Sequence, residues 1–411
     1  MRRRDLLSAA AAAGATAILP HPLRAAGEKS VRVGMIQPMS GAYAAYATEG
    51  QPAFDHIIKK INAAGGVKAM DGARIEIVLA DDASQPARTA SEARRLVTEV
   101  DCKMLVGSML SNQMQAVTPV VDELKIPTLS IWAGGVKSPF MFSLGFPYDR
   151  GYAETMASFI KFLAKEKGFK INTIATAYSN YEAGQQVNNF LKAKLTEAGF
   201  KIAGDVPLDT KAQDQTSAML LLRSMKPDVV TGLVTPRDGI LLQQARFNLS
   251  AYDMIFAGGT GGYTDFSLWK DLGKEIGVKT LTRNLFGMTA FSPGAKLESI
   301  QSIVKELAAA NLGVPIGQAA IQAAQAARVL HAALEGGGGS TAPDALLKSL
   351  AAVKIPVGDP NLYLAKAGGI AFGPDRMLTD GSAMFIQWTP EQTQEVVFPS
   401  QFAQVDPRPR A

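Results

Sequence analysis

Val31-Arg-Val-Gly-Met-Ile-Gln-Pro-Met-Ser-Gly41 is a short run of alternating β-formers that stops at a Pro- and Gly-marked turn. Three more such runs follow it: Arg74-Ile-Glu-Ile-Val-Leu79, Met104-Leu-Val-Gly107 and Pro127-Thr-Leu-Ser-Ile131. The segments between them carry a 3.6-residue apolar repeat and read as helices over residues 48–63, 86–100 and 112–124. Gly65-Gly66 closes the first helix, and Pro86 opens the second, where a first turn tolerates proline. Strands separated by helices of 10–15 residues predict a parallel sheet with right-handed crossovers.

The alternation then restarts. A helix is expected over residues 148–166, burying Tyr152, Met156, Phe159, Ile160 and Leu163. Strand 173–178 leads to a helix with Val187, Phe190, Leu191 and Leu195 on one face. Strands 201–206, 229–233 and 254–257, with helices 216–225 and 238–248, complete a second series. A third group holds strand 285–288, helices 293–310 and 315–334, a glycine-rich surface turn at 336–340, and a helix with Pro343 in its first turn. Ser340 or Thr341 is the expected cap of that last helix, and residues 383–388 read as extended. Two βα series long enough for separate sheets imply two similar lobes, completed by the later elements. Open parallel sheets bind ligands at the carboxyl ends of their strands, so two facing edges would make one enclosed site.

The first 26 residues read differently. Arg2, Arg3 and Arg4 precede an apolar, Ala-rich run from Ala9 to Leu19, and the small residues Ala25 and Ala26 close the segment. This is the pattern of an export signal, and the consecutive arginines point to the twin-arginine route. A periplasmic location follows as the expectation. The remaining 385 residues exceed one hydrophobic core and suit two domains. The formal charge of +5 falls to +2 without the signal, too small and scattered for a nucleic-acid partner. The single Cys102 excludes an intramolecular disulfide and reads as a small buried apolar residue.

Several motifs carry a resemblance. Val33-Gly-Met-Ile-Gln-Pro-Met-Ser-Gly41 with Tyr46, Ile61-Asn-Ala-Ala-Gly-Gly-Val67 and Ile77-Val-Leu-Ala-Asp-Asp82 resemble the opening of leucine/isoleucine/valine-binding proteins, the soluble receptors of ABC importers. Leu105-Val-Gly-Ser-Met-Leu-Ser111, Ile126-Pro-Thr-Leu-Ser130 and Gln243-Gln-Ala-Arg246 extend it in order over nearly the whole chain beyond the signal. The resemblance implies an α/β, two-lobed type I periplasmic-binding-protein (Venus flytrap) fold with three interlobe crossings. Lobe 1 is expected from residues 27–145 plus 290–372 and lobe 2 from 146–289 plus 373–400, with 401–411 as a C-terminal tail. It also implies a monomer that delivers a small carboxylate-bearing solute to an inner-membrane permease.

Site residues transfer by position. Ser111 and the run Trp132-Ala133-Gly134 match the family's carboxylate-holding positions. A hydroxyl and backbone N–H groups near the positive end of a helix suit an anion. A helix cap is the other reading of Ser111. Tyr46 matches a cleft-side tyrosine with Ser40-Gly41 as its turn, and Tyr181 matches an aromatic residue of the second lobe, for which interlobe packing is the alternative. Amino-acid binders of this family set an acidic residue against the ligand's ammonium. Here Ala257-Gly-Gly-Thr-Gly-Gly-Tyr263 puts Thr260 nearest that place, with Asp265 five residues on as a possible substitute. A buried ammonium without a carboxylate is costly. Together with Trp132, which can stack on a ring, this leans from leucine towards an aromatic or other organic acid.

Enzyme chemistry has little support. Beyond His21 in the signal, His56 and His331 stand apart on separate expected helices without neighbours at metal-ligand spacing. No nucleophile elbow or phosphate-cradling loop occurs, residues 258–262 lack the helix-opening context of a dinucleotide site, and Asp81-Asp82 read as a strand-end turn. No catalytic residue, metal site or cofactor is therefore expected. A sensor or receptor module is the alternative to transport, and an exported enzyme is the more distant one.

Overall fold

The computed structural model describes residues 29–41, 43–135 and 137–408. The segment read as an export signal, residues 1–26, lies outside the described residues, as do tail residues 409–411.

The first sheet is built from β1 (Ser30–Gln37), β2 (Arg74–Asp81), β3 (Met104–Gly107), β4 (Thr128–Ser130) and β5 (Met141–Ser143), interleaved with helices α1 (Ala44–Ala63), α2 (Pro86–Thr98) and α3 (Ser111–Leu124). All its pairings are parallel, in the order β2-β1-β3-β4-β5. Val33 and Met35 of β1 are fully buried because helices cover both faces. Strand β5 has no counterpart in the sequence reading, since it follows β4 by a loop instead of a helix. Asp81 and Asp82 are used up in the turn after β2. Asp81 accepts from Ser40 Oγ at 2.6 Å and Ala83 N at 2.8 Å, and Asp82 accepts from Ser84 N and Thr89 Oγ1.

The second sheet holds β6 (Thr173–Ser179), β7 (Lys201–Leu208), β8 (Val229–Gly232), β9 (Ile255–Gly258) and β10 (Leu285–Thr289). Its helices are α4 (Glu154–Lys165), α5 (Glu182–Glu197), α6 (Thr216–Met225), α7 (Pro236–Asn248) and α8 (Ser267–Thr280). Helix α8, unforeseen in the sequence, is broken at Gly273 (φ 74°), which blurs its apolar repeat. Phe190 departs from the sequence reading: it is 43% exposed and lies off the buried face of α5 that holds Val187, Leu191 and Leu195. The segment read as a helix from residue 148 begins instead with a π-helical turn, Tyr148–Ala153, before α4.

The last elements divide between the two bodies. Helices α9 (Glu298–Ala309), α10 (Gln318–Gly336) and α11 (Pro343–Ala352) return to the first. Gly50 of α1 lies so close to α10 that a Cβ there would stand 3.1 Å from Ala319 O and 3.3 Å from Ala323 Cβ. Glu306 of α9 pairs with both His56 (3.0 Å) and Lys60 (2.7 Å) of α1. His331 pairs with Glu335 along α10 at 3.2 Å, so both histidines sit in ordinary helix-surface contacts. The cap expected at Ser340 or Thr341 falls on Ala342 instead, and Ser340 Oγ only receives the Ala342 amide. A two-stranded ribbon, β11 (Lys354–Ile355) with β12 (Ile370–Ala371), precedes β13 (Met384–Trp388) and β14 (Gln394–Phe398). These last two join the second sheet antiparallel, giving the order β14-β13-β10-β9-β8-β6-β7. Phe385 of β13 stacks on Phe159 of α4 with centroids 3.8 Å apart. The chain beyond residue 400 is fastened here too: Phe402 is buried, and Gln387 exchanges hydrogen bonds with the Arg408 backbone at 2.7 and 2.9 Å.

Two buried cations show how the bodies are built. Arg246 is fully buried in the second body and donates to the carbonyls of Ala251, Thr280, Met254 and Arg283 and to Gln243 Oε1. Removing any of these acceptors would strand part of a buried charge. Lys366, also fully buried, lies where the chain passes between the bodies. Its Nζ donates to Ser382 O and lies 4.5 Å from the Phe146 ring centroid, while the neighbouring Ala365 amide bonds Ala290 O at 2.9 Å. Burial lowers its pKa to about 8.

Candidate ligand-binding cleft

The carboxyl ends of the two sheets face one another across a cavity of about 150 Å³. Much of its wall comes from residues that follow a strand. Ser111 follows β3, Trp132 and Gly134 follow β4, Tyr181 follows β6, Thr235 follows β8 and Thr260 follows β9. Tyr46 reaches the cavity from α1. Six of the seven residues proposed from the sequence therefore meet at one place.

Ala133 does not. It is fully buried behind the wall, its amide donating to Ser130 Oγ at 3.1 Å and its carbonyl accepting from Ser143 Oγ. The amide is thus already spent inside the fold. Residues missed in the sequence include Tyr43, Asn112, Phe146, Tyr148, Tyr152, Glu182 and Thr235. Thr235 was findable, because it too comes straight after a strand end. Tyr43 stands three residues before Tyr46, on the turn leading into α1. Nothing in the local pattern marks Tyr148.

The walls are aromatic. Tyr46 and Trp132 meet edge to face at 5.7 Å and 84°. Tyr152 Oη donates to Gly232 O at 2.8 Å and accepts from Gly259 N at 3.1 Å, which pins the glycine loop that presents Thr260. Gly261 in that loop has φ 85°, and a Cβ there would stand 3.2 Å from Tyr46 Oη, so the second body touches the first at this point. Burial pushes the Tyr46, Tyr152 and Tyr181 hydroxyls well above their usual range, which keeps them neutral hydrogen-bonding groups.

Three helices point their N-termini at the cavity, and they are not equivalent. Helix α7 is capped by Thr235, whose side chain accepts from Asp238 N, and carries Asp238 in its first turn. Helix α5 has Glu182 in its first turn. Helix α3 has neither an acidic residue in its first turn nor a side-chain cap. Its N-cap is Leu110, and Ser111 is the first helical residue, so the Ser111 hydroxyl does no capping. The ladder begins only with Met114 N to Leu110 O, which leaves the earlier amides ahead of it. Ser111 Oγ accepts from Tyr148 Oη at 2.9 Å. Among the described lining residues no Lys, Arg or His occurs. The positive potential here is therefore that of the α3 N-terminus.

Asp265 does not face this cavity. It lines a smaller hollow behind the Tyr46–Trp132 pair, together with Glu49 of α1, and accepts from Ser267 N at 2.8 Å. Burial, reinforced by Asp265, raises the Glu49 pKa to about 7, and burial also raises that of Asp265. Glu182, at the rim, is exposed; its Oε1 accepts from Gln115 Nε2 of α3 at 2.9 Å and from Gln186 Nε2 at 3.0 Å. The Gln115–Glu182 bond spans the two bodies across the mouth of the cleft.

Known proteins share this architecture. The sequence profile of the family described as periplasmic binding protein matches residues 30–392. A Leu/Ile/Val-binding protein homolog 8 of Brucella melitensis is 25% identical over 374 residues, covering 87% of this chain and 88% of that one. The Streptococcus pneumoniae branched-chain amino acid transporter substrate-binding protein LivJ, solved with isoleucine, superposes with a TM-score of 0.74 at 18% identity, covering 90% of this chain and all of that one. A solute-binding protein of an ABC transporter from R. palustris, solved with 4-hydroxybenzoate, gives 0.73 at 18% identity over 91% and 95%. These likenesses define the two-lobed type I fold, and the profile match covers the first sheet and all of the second but β14: the chain belongs to the periplasmic binding protein family.

Proposed function

We propose that the protein is the extracytoplasmic solute receptor of an ABC importer and that its ligand is a small carboxylic acid with a single aromatic ring. The observation that carries this reading is the uncapped, acid-free N-terminus of α3, opening with Ser111 into a cavity walled by Tyr46, Trp132 and Tyr181. An anion is favoured at such a terminus, and the neutral tyrosines need no counter-ion. An apolar cavity of roughly 150 Å³ holds a benzene ring, and this one is of that volume. Thr260 stands where relatives of the amino-acid-binding type are expected to carry an acid, and Asp265 points elsewhere. Among the described lining residues, an α-ammonium would therefore find only the rim carboxylate of Glu182, already bonded to Gln115 and Gln186, as a partner.

Binding is a population shift. The ligand touches Ser111 and Trp132 from lobe 1 and Tyr181 and Thr260 from lobe 2, so it favours the closed form in which Gln115 and Glu182 meet. No bond is made or broken. The closed receptor, a monomer, then docks on an inner-membrane permease after export by the twin-arginine route, to which Arg2, Arg3 and Arg4 belong. The test is calorimetric titration of the purified protein with benzoate and with leucine. Benzoate should bind at least tenfold more tightly, about 1.4 kcal/mol; tighter leucine binding overturns the aromatic reading.

A further inference from the structure

Tyr148 stands where three hollows meet. It is the first residue of the π-helical turn that begins the second lobe, yet its ring lies back over the loop that follows β4. A Cβ on Gly135 would stand 2.1 Å from Tyr148 Cε2, and one on Gly134 would stand 2.5 Å from Cε1. The ring can occupy this place only because both residues are glycine. One side of it lines the ligand cavity. Another borders an outer groove of about 670 Å³ that runs past Lys137 and Arg150 to the exposed Phe190. A third small hollow, with Gln115 and Gln186, lies beside it. Its hydroxyl, pushed up to about 12 by burial, stays protonated and donates to Ser111 Oγ. A serine hydroxyl has one proton; when its oxygen accepts from tyrosine, that proton is free for another acceptor.

We propose that Tyr148 determines both how much bulk the ligand can carry beside its acid group and the charge preference of the site. Its ring is the end wall that keeps the cavity from running into the outer groove, and its hydroxyl turns Ser111 into a donor aimed at an anion. The second half rests on the carboxylate reading above; the presence of the wall does not.

Two variants separate the roles, with benzoate, benzamide and biphenyl-2-carboxylate as probes and iodide quenching of Trp132 as a ligand-free readout. Trp269 (5% exposed) and Trp388 (0%) are buried in the second lobe and contribute little to quenching. In Tyr148→Ala, biphenyl-2-carboxylate, whose second ring lies beside the acid, should gain about tenfold or more over its wild-type affinity, and iodide quenching should rise. Tyr148→Phe keeps the ring, so quenching and exclusion of the biphenyl acid should persist while the benzoate-to-benzamide affinity ratio falls about fivefold. A folded Tyr148→Ala protein with unchanged quenching and no uptake of the biphenyl acid overturns the wall. If that variant fails to fold, Tyr148→Leu carries the same readouts. An unchanged ratio in Tyr148→Phe overturns the role of the hydroxyl. Should wild-type protein bind benzamide as well as benzoate, the carboxylate reading itself falls, and the quenching arm still decides the wall.

Discussion

The Tyr46–Trp132 pair divides the cleft into two chambers of opposite character. On one side lies the tyrosine-walled cavity with the α3 N-terminus at its end and, as the single acid among its described lining residues, Glu182 at its rim. On the other lies the small hollow in which Glu49 from lobe 1 and Asp265 from lobe 2 face each other without a cation among the described lining residues. Both chambers form between the same two lobes, so closure alone does not determine what is bound. Polarity is set by which helix ends and which acids the strand-end loops bring in. A carboxylate is drawn to one chamber and repelled by the other, and two touching rings keep them apart. The proposed aromatic acid would accordingly lie with its acid towards Ser111 and its ring towards Trp132.

This contrast can be broken in four ways. Removing the partition should have the largest effect. Trp132→Ala merges the chambers and should cost an aromatic acid about 3–5 kcal/mol of binding, by analogy with large-to-small core changes, against a much smaller loss for an aliphatic acid. Equal losses in parallel titrations would remove the stacking role. Next comes Thr260→Glu, which places an acid on the inner wall of the tyrosine-lined chamber. It should weaken benzoate and favour leucine, shifting their relative affinity by about 1–4 kcal/mol; an unmoved preference would show that Thr260 does not face the ligand. Ser111→Ala should cost a carboxylate ligand about 1–3 kcal/mol through loss of a charge-assisted hydrogen bond, and unchanged affinity would remove Ser111 from the site.

The smallest effect belongs to the acidic chamber. Glu49 has its folded-state pKa raised from 4.5 to about 7 by burial and by Asp265. The folded form therefore holds this proton more tightly than the unfolded chain, so stability falls as pH rises from 4.5 through 7. The ionisable groups near Glu49 are Asp265 and Tyr46, with Asp271 behind Asp265. In Glu49→Gln this component disappears. The melting temperature of the variant minus that of wild type should become more positive across the interval, and a flat difference would show that Glu49 is solvated.

Local sequence specified much of this, and the exceptions share a cause. Strand β3 and helix α6 fall within the bounds their patterns indicate, because a compact apolar run and a 3.6-residue repeat are self-contained signals. Strand β5 lacks a preceding helix, α8 is interrupted by Gly273, and β14 is an edge strand of five residues; each depends on a partner elsewhere in the chain. The site divides along the same line. Ser111, Trp132, Thr235 and Thr260 follow strand ends and are legible from the βα pattern. Tyr148 enters the cavity only because Gly134 and Gly135, more than ten residues earlier, clear room for its ring, and that is a fact of three dimensions. Ala133 shows the converse. It stands beside two wall residues in sequence, yet alternation along the chain turns it inwards to Ser130 and Ser143.

The position of β13 in the second sheet has a consequence for biogenesis. Residues 384–388 lie directly against β10, with β14 outside them, so that sheet lacks these two strands until residues 384–398 have left the ribosome. The first five-stranded sheet is complete by residue 143 and can form early. Synthesis therefore proceeds through a half-built stage in which one edge of β10 is unpaired. Termination before residue 384 would leave that edge open to pairing between nascent chains.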